Sequence, residues 1–149
     1  LPSLSDMQLL LVGAGPDEAR LTALAQELGV AERVHFLGSV DHNLLPLILS
    51  TSNAMVLPSA SEGLANAWVE ALACGTPIII ADVGGARELV LGAAAGMIVA
   101  REPEAIAQGV RMLLERPPVP AETARTVAGF GWPEHADALD RIYAEVIGK

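Results

Sequence analysis

Residues 58–85 read PSASEGLANAWVEALACGTPIIIADVGG, and the punctuation of this stretch decides the fold. A short apolar run, residues 54–57, leads into it. Glu62 falls in the loop after that run, and Glu70 follows eight residues later. Residues 64–73 are rich in good helix formers and stop at Gly75. Residues 77–81 are apolar and β-branched, the pattern of a strand buried on both faces. Strand, loop, helix and strand in this order aim the helix N-terminus at the carboxyl ends of parallel strands, where anions bind.

Moving outward toward the N-terminus, residues 34–37 (VHFL) form another short apolar run closed by Gly38, and residues 44–49 predict a short helix with Asn43 as its N-cap. Residues 7–12 (MQLLLV) predict a buried strand that turns at Gly13-Ala14-Gly15-Pro16. Asp17 and Glu18 then favour a helix start, and Leu21, Leu24, Ala25 and Leu28 recur at helical spacing up to Gly29. Residues 1–6 offer nothing strand-like, so the domain is expected to lack its own first strand.

Toward the C-terminus, residues 88–91 predict a short helix and residues 96–99 a strand. Pro103 opens an amphipathic helix with Ile106, Val110, Leu113 and Leu114 on one side, broken at Pro117-Pro118. A further helix is expected over 121–128, and a terminal one from Pro133 with Leu139, Ile142 and Val146 facing inward. Strands alternating with helices predict one α/β domain over residues 1–149: a Rossmann-like parallel sheet with helices on both faces, in three layers.

Composition narrows the function. The 149 residues are 52% hydrophobic and 3% aromatic, with a formal charge of −9, and the mean hydropathy is +0.43. An aliphatic core of one domain fits these values. So acidic a chain is a poor nucleic-acid surface, and no nucleic-acid partner is expected. No run approaches the ~20 apolar residues that span a bilayer, and no secretory signal is expected ahead of the first strand. Cys74 stands alone, so it builds no internal disulfide and fits a reducing compartment; it reads as a small buried residue at a helix end. His35, His42 and His135 lack metal-ligand spacing, no Asp-x-Asp occurs, and no metal is expected. Trp68 reads as a packing residue in mid-helix.

Taken together, LLLVGAGP, RVHFLGSV, the stretch AMVLPSASEGLANAWVEALACGTPIIIADVGGARELV and the GFGW before the last helix resemble a known family. They are similar to the nucleotide-sugar-binding, C-terminal half of retaining glycosyltransferases of family 4 (glycosyltransferase group 1), which have the GT-B fold. The resemblance runs over nearly the whole chain. It implies metal-independent transfer of a sugar from a nucleotide diphosphate sugar to an acceptor hydroxyl, with no cofactor besides that substrate. It also implies a parent enzyme in the cytoplasm, with an acceptor that can lie peripherally at the inner membrane face. The acceptor-binding N-terminal domain, and the Arg and Lys that neutralise the diphosphate, would precede Leu1. This chain by itself is then not expected to turn over. Asn53 departs from the Asp common at its position in the family, which bears on packing.

The chemistry of such a donor assigns roles. Backbone N–H groups of Gly63, Leu64 and Ala65, with Asn66 beside them, can take diphosphate oxygens without a side-chain cation. Glu70, roughly two turns into the helix and ~9–10 Å from its start, would accept bonds from both ribose hydroxyls, and the resemblance implies the same. Glu62 is the catalytic candidate, facing the transferred sugar. The resemblance places the loop holding Val40 and Asp41 beside the base, and Gly13 and Gly15 form a second strand-to-helix turn for the nucleotide. Gly84 and Gly85 would let backbone approach the sugar, Asp82 capping their loop, and Trp132 would anchor the last helix.

Read as residues alone, several of these positions have plainer accounts. Glu62 could be a solvated loop acid, Glu70 an exposed helix acid, and the glycine pairs simple turns. Two rival functions also stay open: a nucleotide-sugar epimerase of the same architecture, and a non-catalytic domain that keeps the binding pocket.

Overall fold

The computed structural model describes residues 6–148. The expectation that no strand occupies residues 1–6 therefore falls almost wholly outside the described residues. The chain is α/β, with short parallel strands alternating with helices, and it divides into two compact units that meet in the chain between Ile48 and Leu49.

In the first unit, β1 (Leu9–Val12) pairs in parallel with β2 (Val34–Gly38), Leu9 opposite Val34 and Leu11 opposite Phe36. The register slips between Leu11 and Val12, which faces Gly38. Strand β1 starts two residues later than its apolar run. Between the strands lies α1 (Glu18–Glu27), whose flanking Asp17 forms an exposed ion pair with Arg20 at 3.1 Å instead of capping the helix. After β2 the chain makes a 3-10 turn at His42–Leu44 and enters α2 (Leu45–Thr51). The cap differs from expectation. Asp41 accepts a hydrogen bond from the Asn43 N–H at 2.8 Å, so Asn43, expected to cap the helix, lies inside a 3-10 turn that precedes it. Both residue types cap well, but only the one before the turn has a free carboxylate facing its orphaned amides.

The second unit carries three parallel strands in the order β3 (Met55–Leu57), β4 (Ile78–Ala81) and β5 (Gly96–Val99). The central strand is apolar throughout because it is covered on both faces: Ile78, Ile79 and Ile80 are all fully buried. Each such side chain contributes about 1.5–3 kcal/mol by leaving water. On one face, Ile78 and Ile80 join Trp68, Ala71 and Leu72 of α3 (Asn66–Ala73). On the other, beyond the short helix α4 (Ala86–Leu89) and β5 in the chain, α5 (Pro103–Glu115) settles its Gly109 against Met97, Val99 and Ile79. Pro103 stands at the head of α5, where its missing N–H costs nothing.

Buried polar groups tie the connections down. The Thr76 hydroxyl donates to the Leu49 carbonyl, and the Thr123 hydroxyl in α6 (Pro120–Arg125) donates to the Ala94 carbonyl at 2.7 Å. Gly96 opens β5 at φ +119°, and a Cβ there would overlap the carbonyl oxygen of Ile78. Backbone meets backbone at that point.

The last helix, α7 (Trp132–Ile147), corrects the sequence reading. Leu139, Ile142 and Val146 were expected inward, yet they are 40%, 55% and 69% exposed. Trp132, expected as an anchor, is 85% exposed and only stands edge-on to His135, ring centroids 6.5 Å apart. Periodicity fixes the stripe on a helix; burial needs a facing surface, and no described residue of α7 is buried.

Candidate functional site

The loop between β3 and α3 carries Glu62 and opens at the carboxyl end of the sheet. It is held at both ends. The Arg101 guanidinium, just beyond β5, donates to the Pro58 carbonyl at 3.0 Å. The Gly85 N–H donates to the Gly63 carbonyl at 2.8 Å. Glu62 is half-buried, while Gly63 and Leu64 are exposed.

Helix α3 begins at Asn66, two residues later than the good helix formers suggested. Leu64 and Ala65 suit a helix but lie before it, and Ala65, in the cap position with extended backbone, has no side chain able to cap. The free amides at the mouth are thus those of Asn66 and Ala67, with Ala65 beside them; Gly63 and Leu64 approach from the preceding bend. Ala67 was missed in the sequence, since its part depends on where the helix starts. An uncapped N-terminus without an acidic residue in its first turn is electropositive and open to an anion.

The later start also moves Glu70. It lies about 6 Å along the axis from Asn66, little more than one turn, at 1.5 Å per residue. Glu70 is half-buried, and neither its carboxylate nor that of Glu62 forms a hydrogen bond or ion pair among the described residues. One turn on, Cys74 ends α3 and is partly buried, less so than expected. Burial, and then the Glu70 charge, push its thiol up from the usual value, which keeps it protonated and unreactive near neutrality. Trp68 is fully buried as expected, but its indole N–H has no partner among the described residues.

Beyond β4, Asp82 does more than cap. Arg87 donates to both of its oxygens, at 2.8 and 2.5 Å, across the Gly84–Gly85 turn. The Arg87 guanidinium holds the Asp82 carboxyl below the usual carboxylate range.

The remaining candidates fall in the first unit. The Gly13 N–H donates to the Gly38 carbonyl at 2.7 Å, closing the exits of β1 and β2 together. Gly15 borders a shallow groove of about 570 Å³ that runs along α1 past Glu18 and Thr22 to Gln26. Val40 is half-buried and Asp41 exposed, its carboxylate already engaged by the Asn43 amide. Glu62, Gly63, Leu64, Ala65, Asn66 and Glu70 are brought together on one loop and helix of the second unit; Gly13, Gly15, Val40 and Asp41 cluster at strand exits of the first. Among the described residues, no three His, Cys, Asp or Glu side chains group as metal ligands would, and no helix is long and apolar enough to cross a membrane.

A family model for glycosyl transferases group 1 matches residues 1–128. The chain belongs to this family. It is 34% identical over 139 residues to the D-inositol 3-phosphate glycosyltransferase 1 of Catenulispora acidiphila, covering 90% of this chain and 33% of that protein. It is 36% identical over 150 residues to the D-inositol 3-phosphate glycosyltransferase of Geodermatophilus obscurus, covering 95% and 33%. Among solved structures, sucrose-phosphate synthase from Thermosynechococcus elongatus superposes with a TM-score of 0.83 at 30% identity, over 95% of this chain and 39% of that one. The group 1 chain described here spans about a third of the length of the curated relatives it matches.

Proposed function

We propose that this chain is the donor-binding part of a metal-independent glycosyltransferase. Its parent would move a sugar from a nucleotide diphosphate sugar to an acceptor hydroxyl with retention at the anomeric carbon. One observation carries the reading: an uncapped α3 N-terminus flanked by two carboxylates without hydrogen-bond or ion-pair partners among the described residues, Glu62 before it and Glu70 within it. Unpaired acids beside an electropositive helix mouth suit a ligand that is anionic in the middle and rich in hydroxyls at both ends.

In this assignment the amides from Gly63 to Ala67 receive the diphosphate, Glu70 accepts from the ribose hydroxyls, and Glu62 orients the sugar. No cofactor or metal is assigned. Catalysis rests on holding the donor and stabilising the departing diphosphate. The chain's coverage of about a third of its curated relatives supports a longer parent, and we assign the acceptor site to an upstream domain of it. We assign that parent to the cytoplasm, with an acceptor peripheral to the inner membrane face, and this chain alone to donor binding without turnover.

Thermal-shift titration with UDP, ADP and GDP, the matched monophosphates and their sugar conjugates tests the reading. One nucleoside diphosphate should bind this chain at about 0.1–1 mM, equivalent to about 4–5.5 kcal/mol, and better than its monophosphate. Adding EDTA should change nothing. Indifference to every diphosphate, or equal response to the monophosphates, would overturn it. Conversion of free sugar nucleotide to its epimer by the parent would favour an epimerase.

A further inference from the structure

We propose that Gly84 is a positioning residue for Glu62: the turn after β4 serves as a backbone stop that fixes where the Glu62 carboxylate stands relative to the α3 mouth. This rests on the donor-binding reading above.

The contact is unusually close. Gly84 has φ +49°, and a Cβ there would overlap the carbonyl oxygens of both Glu62 and Gly63 and come within 2.9 Å of the Glu62 carbonyl carbon. The next residue holds the adjoining peptide, its N–H donating to the Gly63 carbonyl at 2.8 Å. Asp82 and Arg87, joined by two hydrogen bonds, close the turn behind these glycines. What Gly84 abuts is main chain, which cannot rotate aside. Gly85 differs, because its nearest neighbour is the Leu64 Cδ1, the end of a flexible side chain, at 2.7 Å. Gly92 differs more, with nothing within 4 Å.

A methyl group at position 84 would therefore displace the Glu62–Gly63 peptide and carry the Glu62 side chain with it. Glu70 would stay, since it sits on a helix fixed by its own backbone bonds and by the buried Trp68, Ala71 and Leu72. The two glutamates are thus uncoupled: the stop sets the sugar end of the site and leaves the nucleotide end alone. A displacement of about 1 Å in a group that orients the reacting sugar is worth roughly 100-fold in rate.

The test uses the full-length parent and needs no acceptor. Release of nucleoside diphosphate by slow donor hydrolysis is followed with UDP-glucose, ADP-glucose and GDP-mannose, and affinity for UDP, ADP and GDP is measured alongside. For the donor that is turned over, Gly84→Ala should lower the release rate at saturating donor by about 100-fold and leave diphosphate affinity within about twofold. Gly92→Ala should leave both unchanged. The double variant Glu62→Gln/Gly84→Ala should be no slower than Glu62→Gln, because the stop acts only through Glu62. Wild-type release from Gly84→Ala, additive losses in the double variant, or a matching loss of diphosphate affinity would each overturn the proposal. If the wild-type parent binds no diphosphate, the donor-binding reading falls and this inference with it. If Gly84→Ala does not fold, hydrogen exchange in the wild type decides. The Gly85 amide should exchange more slowly with the sugar nucleotide bound than with the diphosphate alone, and equal exchange would refute the stop.

Discussion

Arg87 reaches back over the Gly84–Gly85 turn and grips both oxygens of Asp82. The pair is exposed, so it is screened by salt, but its geometry is bidentate and it closes the turn that abuts Glu62 and Gly63. Its pH dependence has a definite sign. Hydrogen bonding from Arg87, and then its charge, depress the Asp82 carboxyl below the usual 3.8. A depressed folded-state value contributes stability that is present above the unfolded value and disappears as pH falls through the folded one. Asp82→Asn should therefore melt slightly below wild type at neutral pH. The difference should close as the pH is taken below the ordinary carboxylate range, and shrink in high salt. A gap that persists unchanged in acid would show that the pair does not titrate as described.

The two glutamates should separate in the full-length parent. Glu70→Gln should weaken nucleoside diphosphate binding by about 1–3 kcal/mol, the range for losing charged hydrogen bonds. Glu62→Gln should leave that affinity nearly intact and slow turnover instead. Calorimetric titration against steady-state rates checks the division, and equal losses of affinity would contradict it.

Trp68 sets two effects against each other. Replacing it with Phe removes an indole N–H that has no partner among the described residues, recovering a desolvation cost of about 1–3 kcal/mol. The smaller ring leaves a void of about 40 Å³, worth about 1 kcal/mol at 24 cal/mol per Å³. Trp68→Phe should thus unfold within about 1–2 kcal/mol of wild type in urea. Trp68→Ala should lose about 3–5 kcal/mol. Similar losses in the two variants would mean that the N–H is satisfied in solution.

Gly96→Ala should be among the most damaging substitutions. The new methyl would meet the Ile78 carbonyl oxygen on the central strand, and φ +119° is a poor conformation for any side chain. Overpacking and backbone strain together cost about 2–6 kcal/mol. Gly92→Ala is the matched control, since nothing beyond its chain neighbours lies within 4 Å of its added methyl. Chemical denaturation of both variants provides the comparison.

What the sequence could reveal follows from range. Residues 78–80 announce β4 because three consecutive isoleucines need burial on both faces, a local statement that the structure bears out. The spacing of Glu62 and Glu70 on loop and helix was legible for the same reason. The start of α3 was not, because Leu64 and Ala65 suit a helix interior as well as its approach, and only backbone geometry separates these. The contact of Gly84 with Glu62 joins residues on different turns, and no periodicity records it. The stripe on α7 was visible while its exposure was not, for a pattern of residues carries no image of what faces it.

The two tryptophans occupy opposite extremes, Trp68 without solvent contact and Trp132 at 85% exposure. They divide the molecule's intrinsic fluorescence into a blue, quencher-resistant component and a red one open to iodide. Since Trp68 shares α3 with Glu70, the blue component watches that helix, while the red one watches the C-terminal helix. A single unlabelled sample can thus show which of the two regions responds to an added compound.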